Sequence, residues 1–397
     1  PSVVIWSIGN EIREQGMEEG YKIARFLTKI SHDLDPTRPV SAGFNNWMGA
    51  IKNGLAAEVD LVGFNYAPDF YEKKHKEFPN FTIYGSETAS TVSSRGVYKF
   101  PVVASKKAWY TDYQLTSYDL ETCSWADLPD FEFQYQDDLD FVAGEFVWTG
   151  FDYLGEPSPY NEGTPARSSY FGIVDLAGLP KDRYYLYQSK WSDKPVFHVL
   201  PHWTWPERLN QKVPVFCYTN YPKAELFVNG KSMGTRVKDK SSMLKRYRLM
   251  WDDVIYEPGE IKVVAYDNQD KVVAEKIIRT AGETYSIKLT ADRQKIKADG
   301  KDLTFVTVEI LDKNGNLCPK ANNLLFFEVK GAGKLKAVCN GDATDQTSFV
   351  SKYMRTFNGK MVVTIESETK AGDIVLKASG GFLIPQELKI TTENLNK

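Results

Sequence analysis

An α/β region followed by an all-β region is the fold class this sequence predicts, and three observations predict it. Over about the first 200 residues, short apolar strands alternate with helical periodicity, which is the pattern of a parallel sheet, open or closed into a barrel. At "VLPHWTWPE" (residues 199–207) the helical periodicity stops and alternating apolar and polar runs take over. Beyond that point Asn229-Gly230 and Asp267-Asn268 sit between such runs as hairpin turn signals.

The elements follow in order. Residues 2–9 read as a buried strand. Met17, Tyr21, Ala24, Leu27, Ile30 and Leu34 are spaced by three or four, one face of a helix, which Asp35-Pro36 ends. Short apolar strands are predicted over residues 39–42, 61–66, 81–87 and 141–149, with helical segments over 131–140 and 184–191. The polar and aromatic stretch 88–129 is too long for a plain connection and reads as a functional loop. "PVFCYTN", "AELFVNGKSMG" and "IKVVAYDNQDKVVAEKI" then give one β unit. "SIKLTADRQKIKADGKDLTFVTVEILDKNGN" and "GDIVLKASGG" give a second, with the strand spacing of an immunoglobulin-like sandwich.

Composition narrows the function. At 397 residues the chain is long enough for two to four domains, and 42% hydrophobic with 25% charged residues is ordinary for globular protein. A formal charge of −3 leaves no footprint for nucleic acid or for an anionic membrane. No apolar run approaches the roughly 20 residues that span a bilayer. Cys123, Cys217, Cys318 and Cys339 are too scattered for a zinc site or a disulfide scaffold, and spacing leaves open whether Cys318 and Cys339 pair. His32, His75, His198 and His202 show no ligand spacing, so no metal is assigned. Eight of the nine tryptophans fall between Trp6 and Trp205, which suits either sugar stacking or an aromatic-rich core.

Two strand ends carry chemistry. In "PSVVIWSIGNEI" the apolar strand ends in Asn10-Glu11, and in "TIYGSETAS" another ends in Glu87. Carboxylates at strand ends can converge across a barrel mouth, and about 5 to 5.5 Å apart they serve as nucleophile and acid/base of a retaining glycosidase. The ordinary alternative is a surface or structural glutamate. Strict alternation would place Gly9 and Ser7 beneath Glu11 and Gly85 beneath Glu87, leaving room for a ligand. In "GEFVWTGFDYLGEPSPY", Trp148 at a strand end can floor a sugar site, and alternation turns Glu145 to the opposite face as a structural residue. Asp152 and Glu156 either bind hydroxyls or cap the loop. Glu14, Glu18 and Glu19 read as the solvated side of a helix.

These segments closely resemble glycoside hydrolase family 2, the family of β-galactosidases, β-glucuronidases and β-mannosidases. "PSVVIWSIGNE" resembles its acid/base segment, "TIYGSET" its nucleophile strand and "GEFVWTGFDYLGEP" its eighth strand. "RSSYFGIVDLAGLPKDRYYLYQSKW", "HWTW" and "VPVFCYTNYPKAELFVNGKSMGT" look like the β-galactosidase-type branch of Bacteroides-like bacteria. The resemblance implies the C-terminal part of a (β/α)8 barrel, about strands 4 to 8, over residues 1–205, then immunoglobulin-like β domains over 206–282 and 283–397. It implies Glu11 as general acid/base, Glu87 as nucleophile and Asn10 on the sugar 2-hydroxyl, with Asn65, Tyr66, Trp148 and Asp152 as further substrate contacts.

The expected activity is release of terminal β-D-galactosides by double displacement, with β-glucuronide or β-mannoside as alternative substrates. The Asn-x-Lys pattern of β-glucuronidases is not evident between Glu87 and Phe141, which leans away from glucuronides. The family's sugar-binding domain, first immunoglobulin-like domain and first barrel strands are absent from this sequence, so the chain alone is expected to be inactive. Its alternative role is as a carbohydrate- or partner-binding platform, and its incomplete barrel is expected to self-associate. No cofactor is expected in the chain. A divalent cation could belong to the longer enzyme, but its ligands are not identifiable here. The expected partner is a carbohydrate, with no nucleic acid and no membrane.

Overall fold

The computed structural model describes residues 2–161 and 165–394. They form two compact units. One comprises Pro1–Thr91, Ala104–Ala108 and Glu121–Gly150, and the other Val92–Val103, Trp109–Leu120 and Phe151–Lys397.

In the first unit β1 (Trp6–Asn10), β2 (Val40–Phe44), β3 (Leu61–Asn65), β4 (Thr82–Ala89) and β5 (Val142–Trp148) lie side by side in chain order. All four pairings are parallel. Helices α1 (Gly20–Leu34), α2 (Trp47–Lys52), α3 (Tyr71–Glu77) and α4 (Pro129–Asp138) lie between successive strands. Every residue of β2 and β3 is buried, as befits central strands of a parallel sheet. Ala42, Phe44, Val62, Phe64 and Ile83 of the sheet pack with Trp47, Leu55 and Tyr71. Short α2 and α3 escape prediction because six or seven residues carry no readable period. The Asn46 side chain still caps α2 by accepting from the Gly49 N–H at 3.2 Å.

The packed side of α1 only partly matches the predicted stripe, sharing buried Ala24 and half-buried Tyr21 and Leu27 with it. Its buried residues are Gly20, Ala24 and Thr28, small side chains that let the helix approach the 3-10 turn Leu55–Glu58. Met17, Ile23, Phe26, Ile30 and Leu34 are exposed, Leu34 at 83%, as are Val3 and Val4 before β1 and Trp6 at its start. Among the described residues β1 pairs only with β2 and β5 only with β4, and Phe146 on β5 is also exposed. Parallel sheets are normally covered on both faces, so this apolar surface calls for a cover.

The second unit holds α5 (Asp182–Trp191) and two β cores. One core joins a three-stranded sheet (Arg248–Trp251, Val215–Thr219, Phe197–Leu200) to a four-stranded one (Val272–Arg279, Glu260–Tyr266, Lys223–Val228, Lys231–Val237). Trp203, Trp251, Cys217, Leu226 and Ile261 fill it. The other joins Ser286–Ala291, Leu303–Leu311, Lys360–Ser367 and Gly333–Cys339 to a five-stranded sheet of Lys295–Lys297, Gln386–Glu393, Gly372–Ser379, Leu324–Gly331 and Tyr353–Arg355. Ile287, Val308, Leu325, Met361 and Leu376 fill that one. Alternate residues of Leu303–Leu311 are buried, the period-two pattern of a strand with one covered face.

By compactness residues 92–103 and 109–120 group with the second unit. Cys318 and Cys339 are both free thiols, which answers the pairing left open by spacing. No helix among the described residues is long and apolar enough to cross a membrane.

Candidate active site

Strands β1, β3 and β4 each deliver polar side chains from their C-terminal ends to one place in the first unit. Tight geometry makes this work. Pairing of β1 with β2 slips between Ser7 and Asn10, and pairing of β4 with both neighbours slips around Ser86 and Glu87. Each slip inserts an extra residue, a bulge that re-aims the side chains beyond it. Beyond the slips the backbone turns left-handed at Glu11 (φ 51°), Tyr66 (φ 54°), Ala89 (φ 65°) and Ser90 (φ 52°). None of these is glycine, and each left-handed residue costs roughly 1 to 2 kcal/mol, a cost held where the surroundings fix the chain.

The bulge corrects one expectation. A Cβ at Gly85 would meet Thr88 Cγ2, Tyr71 OH and Glu132 Oε1, so Gly85 faces the helices rather than lying beneath Glu87. Ser86 and Glu87 instead share a face, since Ser86 Oγ donates to Asn65 Oδ1 at 2.6 Å while Asn10 Nδ2 donates to Glu87 Oε2 at 3.1 Å. The space beneath the carboxylates comes from Gly43 and Gly63. A Cβ at Gly43 would stand 2.4 Å from Asn10 Oδ1, and one at Gly63 would stand 2.4 Å from Ser86 Oγ.

Two carboxylates are joined by a relay of amides. Asn65 Nδ2 donates both to Glu11 Oε1 at 2.9 Å and to Asn10 Oδ1 at 3.0 Å, and Asn10 passes the chain on to Glu87. Asn45 Nδ2 donates to the other Glu11 oxygen at 2.8 Å. Tyr66 OH donates to Glu87 Oε1 at 2.6 Å and lies 2.6 Å from Ser90 Oγ. Asn65, the hub, is buried, whereas Asn10 and Glu11 are open to solvent. Two donors favour the charged form of Glu87. Burial first, and then the charge of Glu87, push the Tyr66 phenol far above its ordinary value, so Tyr66 stays a proton donor at any physiological pH.

The structure therefore brings together Asn10, Glu11, Asn65, Tyr66 and Glu87 by direct hydrogen bonds. Trp148 ends β5, paired with Ala89 of β4 and half-buried. Asp152 lies in the second unit, where its carboxylate meets Lys181 Nζ at 2.7 Å and accepts the Gly172 N–H at 2.8 Å. Burial pushes Asp152 up to about 6 and Lys181 down, so the pair is a desolvated structural contact. Sequence reasoning missed Asn45, Ser86 and Ser90. Asn45 directly follows the end of β2, so the strand-end signal that picked out Glu11 would also have found it. Ser86 and Ser90 become visible only once the bulge is known. Among the described residues no group of three or more His, Cys, Asp or Glu side chains could hold a metal ion.

Comparisons with known proteins fit this geometry. Residues 1–164 match the family profile "Glycosyl hydrolases family 2, TIM barrel domain", and residues 287–389 match "Glycoside hydrolase family 2 C-terminal domain 5". Residues 210–274 match a domain of unknown function. A β-galactosidase of Bacteroides ovatus is 40% identical over 100% of this chain, which spans 50% of that protein. A putative β-glucuronidase of Formosa agariphila is 29% identical over 91% of this chain and 36% of its own length. The crystal structure of a β-glycosidase from Bacteroides vulgatus superposes with a TM-score of 0.84 at 32% identity, covering 99% of this chain and 51% of that one. The chain thus spans about a third to a half of these three proteins, and its five parallel strands are part of a (β/α)8 barrel. The chain belongs to glycoside hydrolase family 2.

Proposed function

We propose that this chain carries the catalytic pair of a retaining β-glycosidase that releases terminal β-D-galactosyl residues. The observation that carries the reading is the bonded relay Glu11–Asn65–Asn10–Glu87–Tyr66 at three strand ends. In the first step a Glu87 oxygen attacks the anomeric carbon while Glu11 gives its proton to the departing glycosidic oxygen. The glycosidic bond breaks and a sugar ester on Glu87 forms. In the second step Glu11 takes a proton from water, the water oxygen attacks the anomeric carbon, and the Glu87 carboxylate leaves with Glu11 protonated again. Asn10 keeps one amide N–H for a sugar hydroxyl, and Trp148 offers the sugar an apolar face.

The galactoside preference is supported by the 40% identity to a protein named β-galactosidase, and β-glucuronide and β-mannoside remain the competing substrates. Aryl β-galactoside, β-glucuronide and β-mannoside are the test, given both to this chain and to the full-length gene product. Galactoside turnover by the longer protein is the expected result, and turnover of the glucuronide alone would overturn the sugar assignment. A second reading, a self-associating platform, is favoured by the exposed apolar residues along α1 and β1. Light scattering on the isolated chain is expected to show oligomers, and a clean monomer would count against it.

Gly43→Ala gives a sharper check of the site's floor. The new methyl would overlap Asn10 Oδ1, 2.4 Å away, and push both amides of the relay. A displacement of that kind is expected to lower kcat by about 100-fold, measured on the aryl substrate. Unchanged kcat would mean that Asn10 does not position the reacting groups.

A further inference from the structure

The long segment 88–129 returns to the first unit at Ala104–Ala108 and again from Glu121 onward. Backbone bonds tie it down there. Thr122 bridges to Thr91, just past β4, and its N–H donates to the Ser105 carbonyl at 2.8 Å. The Asp127 N–H donates to the Ala89 carbonyl at 3.1 Å, and Thr91 Oγ1 donates to the Asp127 carbonyl at 3.4 Å. Between these anchors a turn closes from the Ala126 N–H to the Cys123 carbonyl at 3.1 Å, and Trp125 is its third residue. Thr91, Thr122, Cys123 and Ala126 are buried, whereas Trp125 is 49% exposed.

A lone exposed apolar side chain needs no explanation by itself. This one stands beside the candidate site. Ser90, between the anchoring residues Ala89 and Thr91, has its Oγ 2.6 Å from Tyr66 OH. The Trp125 side chain acts on the same Tyr66 hydroxyl, together with Glu87 and Ser90.

Which edge of a sugar faces Trp125 follows from how Glu87 is held. The anomeric carbon has two ring neighbours: C2 with its hydroxyl, and the ring oxygen that leads to C5 and C6. Asn10 approaches Glu87 at Oε2 and keeps an N–H for a hydroxyl, so it belongs to the C2 side. Tyr66 approaches at Oε1 and gives its proton to Glu87. It has no second proton for a sugar hydroxyl. Its oxygen suits the ring oxygen, which carries no hydrogen and turns positive in the oxocarbenium-like transition state. Trp125, on the Tyr66 side of Glu87, therefore stands on the side of C5 and C6.

We propose that Trp125 sets specificity at C6: its indole packs against the C5–C6 edge of the bound sugar and favours hexopyranosides over pentopyranosides. The proposal rests on the glycosidase reading and deepens it. An indole face offers contact to C–H groups, so the preference comes from the C6 carbon and holds whether that carbon bears a hydroxyl or is a methyl. One added carbon in an apolar contact changes kcat/KM by about 10- to 200-fold.

The test measures kcat/KM of the full-length gene product on three aryl glycosides that share one leaving group and the galacto configuration. They are the β-D-galactoside, the 6-deoxy β-D-fucoside and the α-L-arabinopyranoside, which lacks C6. Wild type is expected to cleave the fucoside within about tenfold of the galactoside, and the arabinoside about 10- to 200-fold more slowly than the fucoside. Trp125→Ala should bring the fucoside and arabinoside to within about threefold of each other. Trp125→Phe, a milder change that keeps the strap filled, should lie between. A ratio that Trp125→Ala leaves unchanged, whether or not all three rates fall together, would show that the residue only steadies Tyr66 and would overturn the proposal. Calorimetric titration of D-galactose, D-fucose and L-arabinose onto the same proteins reads the contact without turnover. A preference for fucose over arabinose that disappears in Trp125→Ala, with no glycoside cleaved, would sink the glycosidase reading and leave the contact standing. No preference between those two sugars in wild type would overturn the contact itself.

Discussion

Glu87→Gln in the full-length gene product is expected to lower kcat on an aryl β-galactoside by on the order of 10⁴- to 10⁶-fold, the scale seen when a covalent nucleophile is removed. The glutamine has nearly the same shape, so substrate binding should change little and the loss should fall on kcat rather than KM. It lacks the charge that attacks the anomeric carbon. It also turns an N–H₂ group toward either Tyr66 OH or Asn10 Nδ2, both of which now donate to Glu87. A loss below about tenfold would mean that another group forms the bond to the sugar.

Asp175→Ala should have the largest effect on stability. Asp175 lies in the second unit, where its Oδ2 meets Arg95 Nε at 2.5 Å. Both side chains are buried, at 8% and 0% exposure for Arg95 and Asp175. Asp175 Oδ1 accepts the N–H groups of Ala177 and Leu179 at 2.9 Å each. Arg95 Nη2 donates to the carbonyls of Asn340 and Phe357 at 2.7 and 3.1 Å, so the pair ties residues 92–103 to the C-terminal sandwich. A Cβ at Gly341 would fall 2.0 Å from Asp175 Oδ2, and Gly341 has φ of 80°, so only glycine fits both the space and the backbone. Removing the carboxylate leaves a buried guanidinium without its counter-charge and should cost about 3 to 5 kcal/mol. Thermal unfolding should drop by on the order of 10 °C, with Asp175→Asn intermediate. A change under about 1 kcal/mol would show that water takes over the carboxylate's role.

The legible part of this molecule is the part where one physical signal dominates. The strand cores around Val40, Val62, Ile83 and Phe146 were readable because apolar runs of four to eight residues bounded by turn signals have few other uses. Glu11 and Glu87 stood out because a charge at the end of an apolar strand needs a reason. Strict alternation then failed at Gly85, since a bulge changes which face a side chain takes and leaves no mark in hydrophobicity. The stripe on α1 held only in part, for a different reason. The helix packs through Ala24 of that stripe together with Gly20 and Thr28, which periodicity counts as weak, while Ile30 and Leu34 of the stripe are exposed. Asp152 looked like a hydroxyl ligand because nothing in its neighbourhood in sequence announces Lys181, 29 residues on.

The central claim is that Glu87 bonds covalently to the sugar while Glu11 handles the proton. The most direct measurement incubates the full-length gene product with a 2-deoxy-2-fluoro-β-galactosyl fluoride and maps the trapped adduct by peptide mass spectrometry. The account predicts a fluorosugar ester on Glu87. An adduct on any other side chain, or hydrolysis of a galactoside with inversion at the anomeric carbon, would contradict it.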